Sequence, residues 1–172
     1  MAVNKDSTYE ERTKNAGQDE IACREWYISK NCGIQKYGFD LLDRKDLGKF
    51  FYTMPHFFAS TPDFIAHTSD YKLYMLVEAK WIDYNGICNG MKVTHWEAYE
   101  NWFKLCEAWG LDFYFFFYNK TLGSINAPFE AVREVIDNDS EIDYLDKGKS
   151  YEKEIHRFSV RGLEEHNVKR WQ

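Results

Sequence analysis

Residues 61–80 read TPDFIAHTSDYKLYMLVEAK, and this stretch decides the fold. It contains two mainly apolar segments, 63–68 and 73–79, which are separated by the polar connection 69–72. Short apolar segments joined by a few polar residues are typical of two antiparallel strands and their turn. The stretch therefore predicts a β-hairpin.

The hairpin also has a predicted register. If its turn is centred between Asp70 and Tyr71, residues whose numbers sum to 141 lie opposite each other, so Asp63 faces Glu78. Side chains alternate between the two faces of a strand. The second strand should therefore place Tyr74, Leu76, Glu78 and Lys80 on one face and Leu73, Met75, Val77 and Ala79 on the other.

Asp63, Glu78 and Lys80 carry the groups that phosphodiester hydrolysis requires. Mg²⁺ takes one or two carboxylates together with water and phosphate oxygens, so two acids on adjacent strands could hold it against a scissile phosphate. A lysine on the same face could orient the attacking water or offset the charge that develops in the transition state. This end of the hairpin therefore predicts a magnesium site.

The pattern [DE]-x-K is short, and it occurs three times, at 43–45, 70–72 and 78–80. Only the third occurrence ends an apolar strand, where an acid and a lysine cost desolvation free energy unless a metal or a partner compensates them. The second lies in the predicted turn, where a solvated ion pair explains it. The alternative for 78–80 is a cross-strand ion pair at the rim of the sheet.

Residues 61–65 (TPDFI), followed after a hairpin's length by 77–80 (VEAK), resemble the signature of the PD-(D/E)xK nuclease superfamily. This superfamily includes restriction enzymes, Holliday-junction resolvases and phage exonucleases. The resemblance extends to the predicted element order of helix, three strands, helix and strand. It implies an α/β fold in which helices flank a restriction-endonuclease-like central mixed sheet.

The resemblance also implies a role for each residue of the motif. Asp63 and Glu78 would be metal ligands, and Ala79 would offer its backbone carbonyl to the metal. Lys80 would assist hydrolysis. The implied cofactor is Mg²⁺ or Mn²⁺.

Many members of the superfamily add an acid from the first helix. Glu20 is the candidate for this catalytic position, with Asp19 and Glu25 as alternatives. An ordinary solvated helix glutamate explains any one of them equally well.

Some exonuclease-like members also carry a Gln-x-x-x-Tyr pair on the helix after the lysine. The corresponding residues here are 95–99, HWEAY, with His95 where glutamine is usual and with Tyr99 in place. His95 could donate to a phosphate or carry a proton, because imidazole titrates near neutral pH. An exposed or packed histidine is the alternative.

The rest of the chain predicts further helices and strands. A helix over 18–31 is expected to stop at Gly33, and Thr94 with Glu97 has the form of a capping box for a helix that ends at Gly110. The other expected elements are a strand at 34–42, a loop at 43–62, a strand buried on both faces at 113–118, a helix at 128–136, an acidic linker and an edge strand at 151–160.

Composition limits the class of protein. The 172 residues fit one nuclease-like domain, 16–172, preceded by a flexible arm, 1–15. The four cysteines are widely spaced, which indicates reduced thiols and no zinc or iron–sulfur site. The sequence has neither a signal peptide nor a membrane-spanning apolar run, so we expect a cytoplasmic protein that binds no membrane.

The net charge of −6 argues against a protein that coats DNA non-specifically, because such binding depends on neutralising phosphates. A local basic strip of Lys36, Arg44, Lys45 and Lys49 could supply positive charge, although surface solvation explains these residues equally well.

The leading hypothesis is a Mg²⁺- or Mn²⁺-dependent nuclease whose partner is nucleic acid, with DNA favoured. The compact size is compatible with a phage enzyme, a homodimer or a subunit of a larger complex. A non-catalytic domain of the same fold that serves as an interaction or structural subunit is the alternative, and an unrelated aromatic-rich binding module is a third. The sequence leaves open DNA or RNA as substrate and exonuclease or endonuclease action.

Overall fold

The computed structural model describes residues 17–37, 61–84, 89–94, 96–139, 141–145 and 153–158, together with Gly148 and Leu163. The elements of these ranges, in chain order, are α1 (Gln18–Ser29), β1 (Gly33–Lys36), β2 (Phe64–His67), β3 (Tyr74–Trp81), β4 (Asp83–Tyr84), β5 (Asn89–Thr94), α2 (Trp96–Trp109), β6 (Asp112–Asn119), β7 (Gly123–Pro128), α3 (Phe129–Asp139), β8 (Glu141–Leu145) and β9 (Lys153–Phe158).

Within the described ranges the strands form two sheets. The larger sheet has five strands in the order β1-β2-β3-β6-β7. Its strands pair in antiparallel fashion except for β3 and β6, which run parallel, so the sheet is mixed. The smaller sheet has the order β4-β5-β9-β8 with antiparallel pairing.

Helices flank the larger sheet on both faces. On one face Cys23 and Tyr27 of α1 pack against Val77 of β3 and Phe116 of β6. On the other face α2 and α3 pack against alternate residues of β3 and β6, among them Leu76, Phe113, Phe115 and Phe117. The aromatic run of β6 is buried from both sides, as predicted for a central strand. The predicted α/β fold with a central mixed sheet is therefore confirmed.

The hairpin forms with the predicted register. The β2 and β3 partners run from Phe64 opposite Val77 to His67 opposite Tyr74, and each pair of numbers sums to 141. The β3 side chains that were predicted to lie on opposite faces of the sheet do so. Leu76 packs on the α2 side, whereas Met75, Val77 and Ala79 pack on the α1 side.

The end of α1 differs from the prediction. The helix ends at Ser29, and Asn31 follows with a positive φ of 57°, a conformation that often terminates helices. Gly33, expected to stop the helix, instead begins β1. A Cβ at Gly33 would collide with the imidazole of His67 on the paired strand, so a larger residue here would displace that ring.

The start of the second helix leaves its predicted capping residue untested. α2 is described from Trp96, and Thr94, predicted as its capping residue, is the last residue of β5. His95 lies outside the described residues. Gly110, with φ of 70°, ends the helix as predicted.

Several strands were not predicted correctly. The segment 123–128 forms β7, although its sequence GSINAP has the residues of a turn. The expected acidic linker contains β8, and the expected edge strand is β9, which pairs with β5 on one side and β8 on the other. Of the strand expected at 34–42 the structure describes only its beginning as β1. The arm 1–15 and most of the loop 43–62 lie outside the described residues.

The buried amide of Asn119 connects β6 to the end of β3. Its Nδ2 donates to the carbonyl of Ile82 at 2.9 Å. Its Oδ1 accepts from the backbone amides of Thr121 at 2.8 Å and Leu122 at 3.3 Å. One side chain therefore fixes both the β6–β7 turn and the end of the strand that carries the segment 78–80.

Asn119→Asp is expected to lower the free energy of unfolding by about 2 kcal/mol or more, because it replaces the donor to Ile82 with a buried carboxylate. Asn138→Asp is the matched control. The Asn138 amide donates to the carbonyl of Glu134 at 2.8 Å but is exposed, so its replacement should cost less than about 1 kcal/mol. Denaturant unfolding measures both values, and equal losses would contradict the role given to Asn119.

Candidate functional site

The structure brings Asp63 to the end of β3. Asp63 directly precedes β2, and extending the register beyond the pair Phe64–Val77 by one residue places it opposite Glu78. Its Oδ2 accepts a hydrogen bond from the backbone amide of Ala79 at 2.8 Å. The hairpin therefore joins Asp63 to the segment 78–80, as its predicted register requires.

Glu78 is a buried acid, with 4% of its surface exposed. Its Oε1 accepts hydrogen bonds from the hydroxyl of Tyr99 and from the ammonium of Lys80, both at 2.5 Å. Its Oε2 is also buried, and it has no hydrogen-bond partner within the part of the chain that the structure describes. Among the described residues, the carboxylate is therefore compensated on one oxygen only.

Lys80 lies beside Glu78 with 23% of its side chain exposed. Burial lowers the pKa of Lys80, but the negative charge of Glu78, together with Tyr99, outweighs this effect and holds the pKa well above its usual range. The ammonium is 5.4 Å from the centroid of the Tyr99 ring. Lys80 is therefore a cation at neutral pH, and it has a path to solvent.

Asp63 is held in its neutral form, whereas Lys80 is held in its charged form. Burial raises the pKa of Asp63 from its ordinary value of 3.8 to about 8, with a further contribution from the charge of Glu78. The positive charge of Lys80 and the hydrogen bond from Ala79 lower the pKa by less. Without a bound cation, Asp63 therefore retains its proton at neutral pH.

The acids of α1 approach the site in different ways. Glu20, the predicted fourth acid, forms an ion pair with Lys36 of β1, so Lys36 does not act as an isolated cation of a basic strip. Burial raises the pKa of its neighbour Asp19, and the charge of Lys80 partly counteracts this rise. Glu25 is exposed. Both Asp19 and Glu20 therefore remain candidates for the first-helix acid.

The pKa of Cys23 is affected by the same acids. This residue of α1 is fully buried. Its pKa is raised first by burial and then by the negative charges of four acids, Asp63, Asp19, Glu20 and Glu78. Sequence spacing does not associate Cys23 with the site, because the influence of these acids on the thiol depends on the docking of α1 on the sheet.

The hydrogen bond from Tyr99 to Glu78 is the other contact that sequence spacing alone does not predict. The place of Tyr99 in the HWEAY segment marked it as part of a motif, but the hydrogen bond to Glu78 depends on the docking of α2. His67, which neighbours the hairpin turn, stacks on Tyr71 with the ring centroids 4.7 Å apart. His95 and the basic residues at 44, 45 and 49 lie outside the described residues.

A divalent cation at this site would have few protein ligands. No group of three or more His, Cys, Asp or Glu side chains in the described ranges is arranged to hold a metal ion. Mg²⁺ needs fewer protein ligands, because it retains several waters and uses one or two carboxylates. Oε2 of Glu78, which has no partner among the described residues, and the carboxyl of Asp63, which interacts electrostatically with Glu78, fit this smaller donor set.

Comparison with known proteins gives a relationship at the level of fold. No protein-family model matches the chain, and no curated protein matches it. Among solved structures the chain is similar to Hjc, a Holliday junction resolvase from the archaeal hyperthermophile Archaeoglobus fulgidus. The TM-score is 0.50 and the identity 10%, over 86% of this chain and 89% of that chain. None of the helices in the described ranges is long and apolar enough to cross a membrane.

At this identity the similarity concerns the fold alone. The match covers most of both chains. The chain therefore has an α/β fold of the resolvase and restriction-endonuclease type, as the sequence motif implied.

The raised pKa of Asp63 predicts a pH dependence of stability. Because the folded-state value of about 8 exceeds the ordinary value of 3.8, the metal-free protein should lose stability as the pH rises between these values. The loss should be at most about 1.4 kcal/mol per pH unit. Asp63→Asn removes this titrating carboxyl. Its free energy of unfolding should equal that of the wild type near pH 4 and exceed it most above pH 8. Thermal or urea unfolding measures the difference.

Asp70→Asn is the matched control in the same hairpin. The hydrogen bond from Thr68 lowers the pKa of this exposed carboxyl, which therefore stabilises the fold above its unfolded-state pKa and loses that contribution as the pH falls. Asp70→Asn should consequently show no growing advantage between pH 5 and pH 8. A constant difference between Asp63→Asn and the wild type over this range would contradict the assignment of Asp63.

Proposed function

We propose that the chain is a divalent-metal-dependent nuclease that hydrolyses phosphodiester bonds in nucleic acid, with DNA as the favoured substrate. The observation that carries this proposal is the buried Glu78 carboxylate, which has one oxygen held by Lys80 and Tyr99 and the other without a described partner. A buried charged oxygen is costly unless a cation compensates it. The fold shared with a Holliday junction resolvase supports the same function.

The metal ligands would be Asp63, Oε2 of Glu78 and the backbone carbonyl of Ala79. When bound, Mg²⁺ or Mn²⁺ supplies positive charge that stabilises the phosphate and the attacking water in the transition state. The proton of Asp63 must leave before its carboxylate can act as a ligand, so metal binding should be stronger at higher pH. Glu20, or Asp19 in its place, would complete the site from α1.

Lys80 would act on the substrate. Hydrolysis joins the oxygen of water to phosphorus, breaks one phosphorus–oxygen ester bond and gives a proton to the departing oxygen. The Lys80 ammonium is partly exposed and fully charged, so it can donate hydrogen bonds to the phosphate as negative charge develops. The ammonium has three N–H donors, so it can turn towards the phosphate from its position beside Glu78.

The wider proposal concerns the biological setting. We infer a single nuclease-like domain over 16–172 that acts in the cytoplasm on DNA, either as a homodimer or as a subunit of a larger complex; a phage enzyme fits the compact size. Branched DNA belongs among the test substrates because the similar structure is a Holliday junction resolvase. Light scattering of the purified protein, alone and with DNA, tests the oligomeric state.

A second candidate function is favoured by the Glu78–Lys80 ion pair itself. A non-catalytic domain could retain this pair as a structural contact, because each charge compensates the other. The two candidates differ in one measurable property. The nuclease binds Mg²⁺ or Mn²⁺ at Asp63 and Glu78, whereas the non-catalytic domain has no need of a cation there.

The decisive assay uses single-stranded, duplex and branched DNA with Mg²⁺, with Mn²⁺ and with EDTA. We expect cleavage with either metal and none with EDTA. Lys80→Gln should reduce the cleavage rate by about 100-fold or more, because it removes the charge that acts in the transition state. Glutamine keeps a donor for the buried Glu78, so the variant should remain folded.

Lys72→Gln is the matched control, since Lys72 belongs to the other D-x-K segment of the hairpin and pairs with the exposed Asp70 at 3.5 Å. It should cleave at the wild-type rate. A fully active Lys80→Gln protein would remove Lys80 from the proposed site.

Metal binding should also stabilise the folded protein without any substrate. A cation that binds only the native state adds about 2.7 kcal/mol to the free energy of unfolding when its concentration is a hundred times its Kd. This added stability raises the melting temperature. Mn²⁺ should therefore raise the melting temperature of the wild type at pH 8, and Asp63→Asn should abolish the rise. An unchanged rise in Asp63→Asn would show that the ion binds elsewhere.

A further inference from the structure

Tyr99 is held rigidly beneath the proposed site. Only 1% of its surface is exposed. Its ring packs edge-on against Phe115 of β6, with the centroids 5.2 Å apart and the planes at 79°. Its hydroxyl donates to Oε1 of Glu78 at 2.5 Å. Packing therefore fixes the direction in which the hydroxyl points, and nucleic acid cannot reach it.

The same side chain contacts both members of the ion pair. Lys80 donates to Oε1 of Glu78, the oxygen that Tyr99 also holds, and the ammonium is 5.4 Å from the Tyr99 ring centroid. Two donors on Oε1 leave Oε2 as the oxygen that has no partner among the described residues. The contacts of Tyr99 therefore distinguish the two oxygens of one carboxylate.

This distinction matters because Lys80 would share its three N–H donors between Glu78 and a phosphate. When the ammonium turns towards a phosphate, its hydrogen bond to Oε1 weakens inside a buried environment. An additional fixed donor keeps the carboxylate hydrogen-bonded during that movement. The hydroxyl of Tyr99 is such a donor, and its rigid packing keeps it in place.

We propose that Tyr99 is a positioning residue of the proposed nuclease: its hydroxyl holds Oε1 of Glu78, presents Oε2 to the cation and keeps Oε1 hydrogen-bonded while Lys80 turns towards the phosphate. The inference rests on the proposed function. Tyr99 acts through Glu78 and Lys80 and does not touch the substrate. Its loss should therefore weaken metal binding and slow the chemical step while leaving the affinity for DNA unchanged.

The test compares Tyr99→Phe with Tyr27→Phe. Tyr27 is equally buried, at 1% exposed, and its hydroxyl donates to the side-chain oxygen of Asn126 at 2.9 Å, on the other side of the sheet. Each variant thus removes one buried hydroxyl and keeps the ring. Calorimetric titration with Mn²⁺ gives the Kd, steady-state cleavage gives kcat and KM, and thermal unfolding gives the cost to the fold.

For Tyr99→Phe we expect the Kd for Mn²⁺ to rise and kcat to fall, each by about 10–100-fold, with KM for DNA unchanged. Tyr27→Phe should retain the wild-type Kd and kcat, while its melting temperature falls at least as much as that of Tyr99→Phe. Wild-type Kd and kcat in Tyr99→Phe, or equal losses in both variants, would overturn the role of Tyr99 and leave the nuclease proposal standing.

A wild-type protein that neither binds Mn²⁺ nor cleaves any substrate would overturn the proposed function, and the inference with it. If the wild type binds Mn²⁺ but cleaves none of the substrates, the comparison of Kd values between the two variants still decides the role of Tyr99.

Discussion

The enclosed carboxylate of Glu78 is the constraint on which the arrangement of the site depends. β3 pairs with β2 on one side and with β6 on the other, so Glu78, opposite Phe115, is inside the sheet. A charge in that position must be compensated by groups brought from elsewhere. Lys80 comes from the same strand and Tyr99 from α2, so the hydroxyl of Tyr99 connects a neighbouring helix to the middle of the sheet.

Much of the larger sheet could be predicted from the sequence because its signals are local. The polar residues 69–72 fix the hairpin turn, and the alternation of β3 fixes which side chains share a face. The aromatic run of β6 indicated a strand buried on both sides. The smaller sheet gave weaker signals: β4 has two residues, β8 is a short strand with two acids, and β9 contains charged residues without a regular apolar alternation. β7 was missed because its glycine, asparagine and proline are typical of turns.

The same division holds for the candidate site. The meeting of Asp63 with the segment 78–80 follows from hairpin register, which is a property of neighbouring residues. The contact of Tyr99 with Glu78 and the ion pair of Glu20 with Lys36 depend on how α2 and α1 dock on the sheet. Packing of helices against sheets involves distant residues, and a single sequence offers no pattern that specifies it. The approach of Cys23 to the acids is hidden for the same reason.

The parallel pairing of β3 with β6 also has a consequence for the order of folding. The hairpin β2–β3 needs only a short loop, so Asp63 and Ala79 can meet early. The pairing of β3 with β6 and the arrival of Tyr99 require the chain between them to close first, which slows these contacts. Glu78 therefore keeps its water until the parallel pair forms, and removing that water contributes to the barrier of the late step. In this chain we therefore expect the charged centre to be completed after the hairpin.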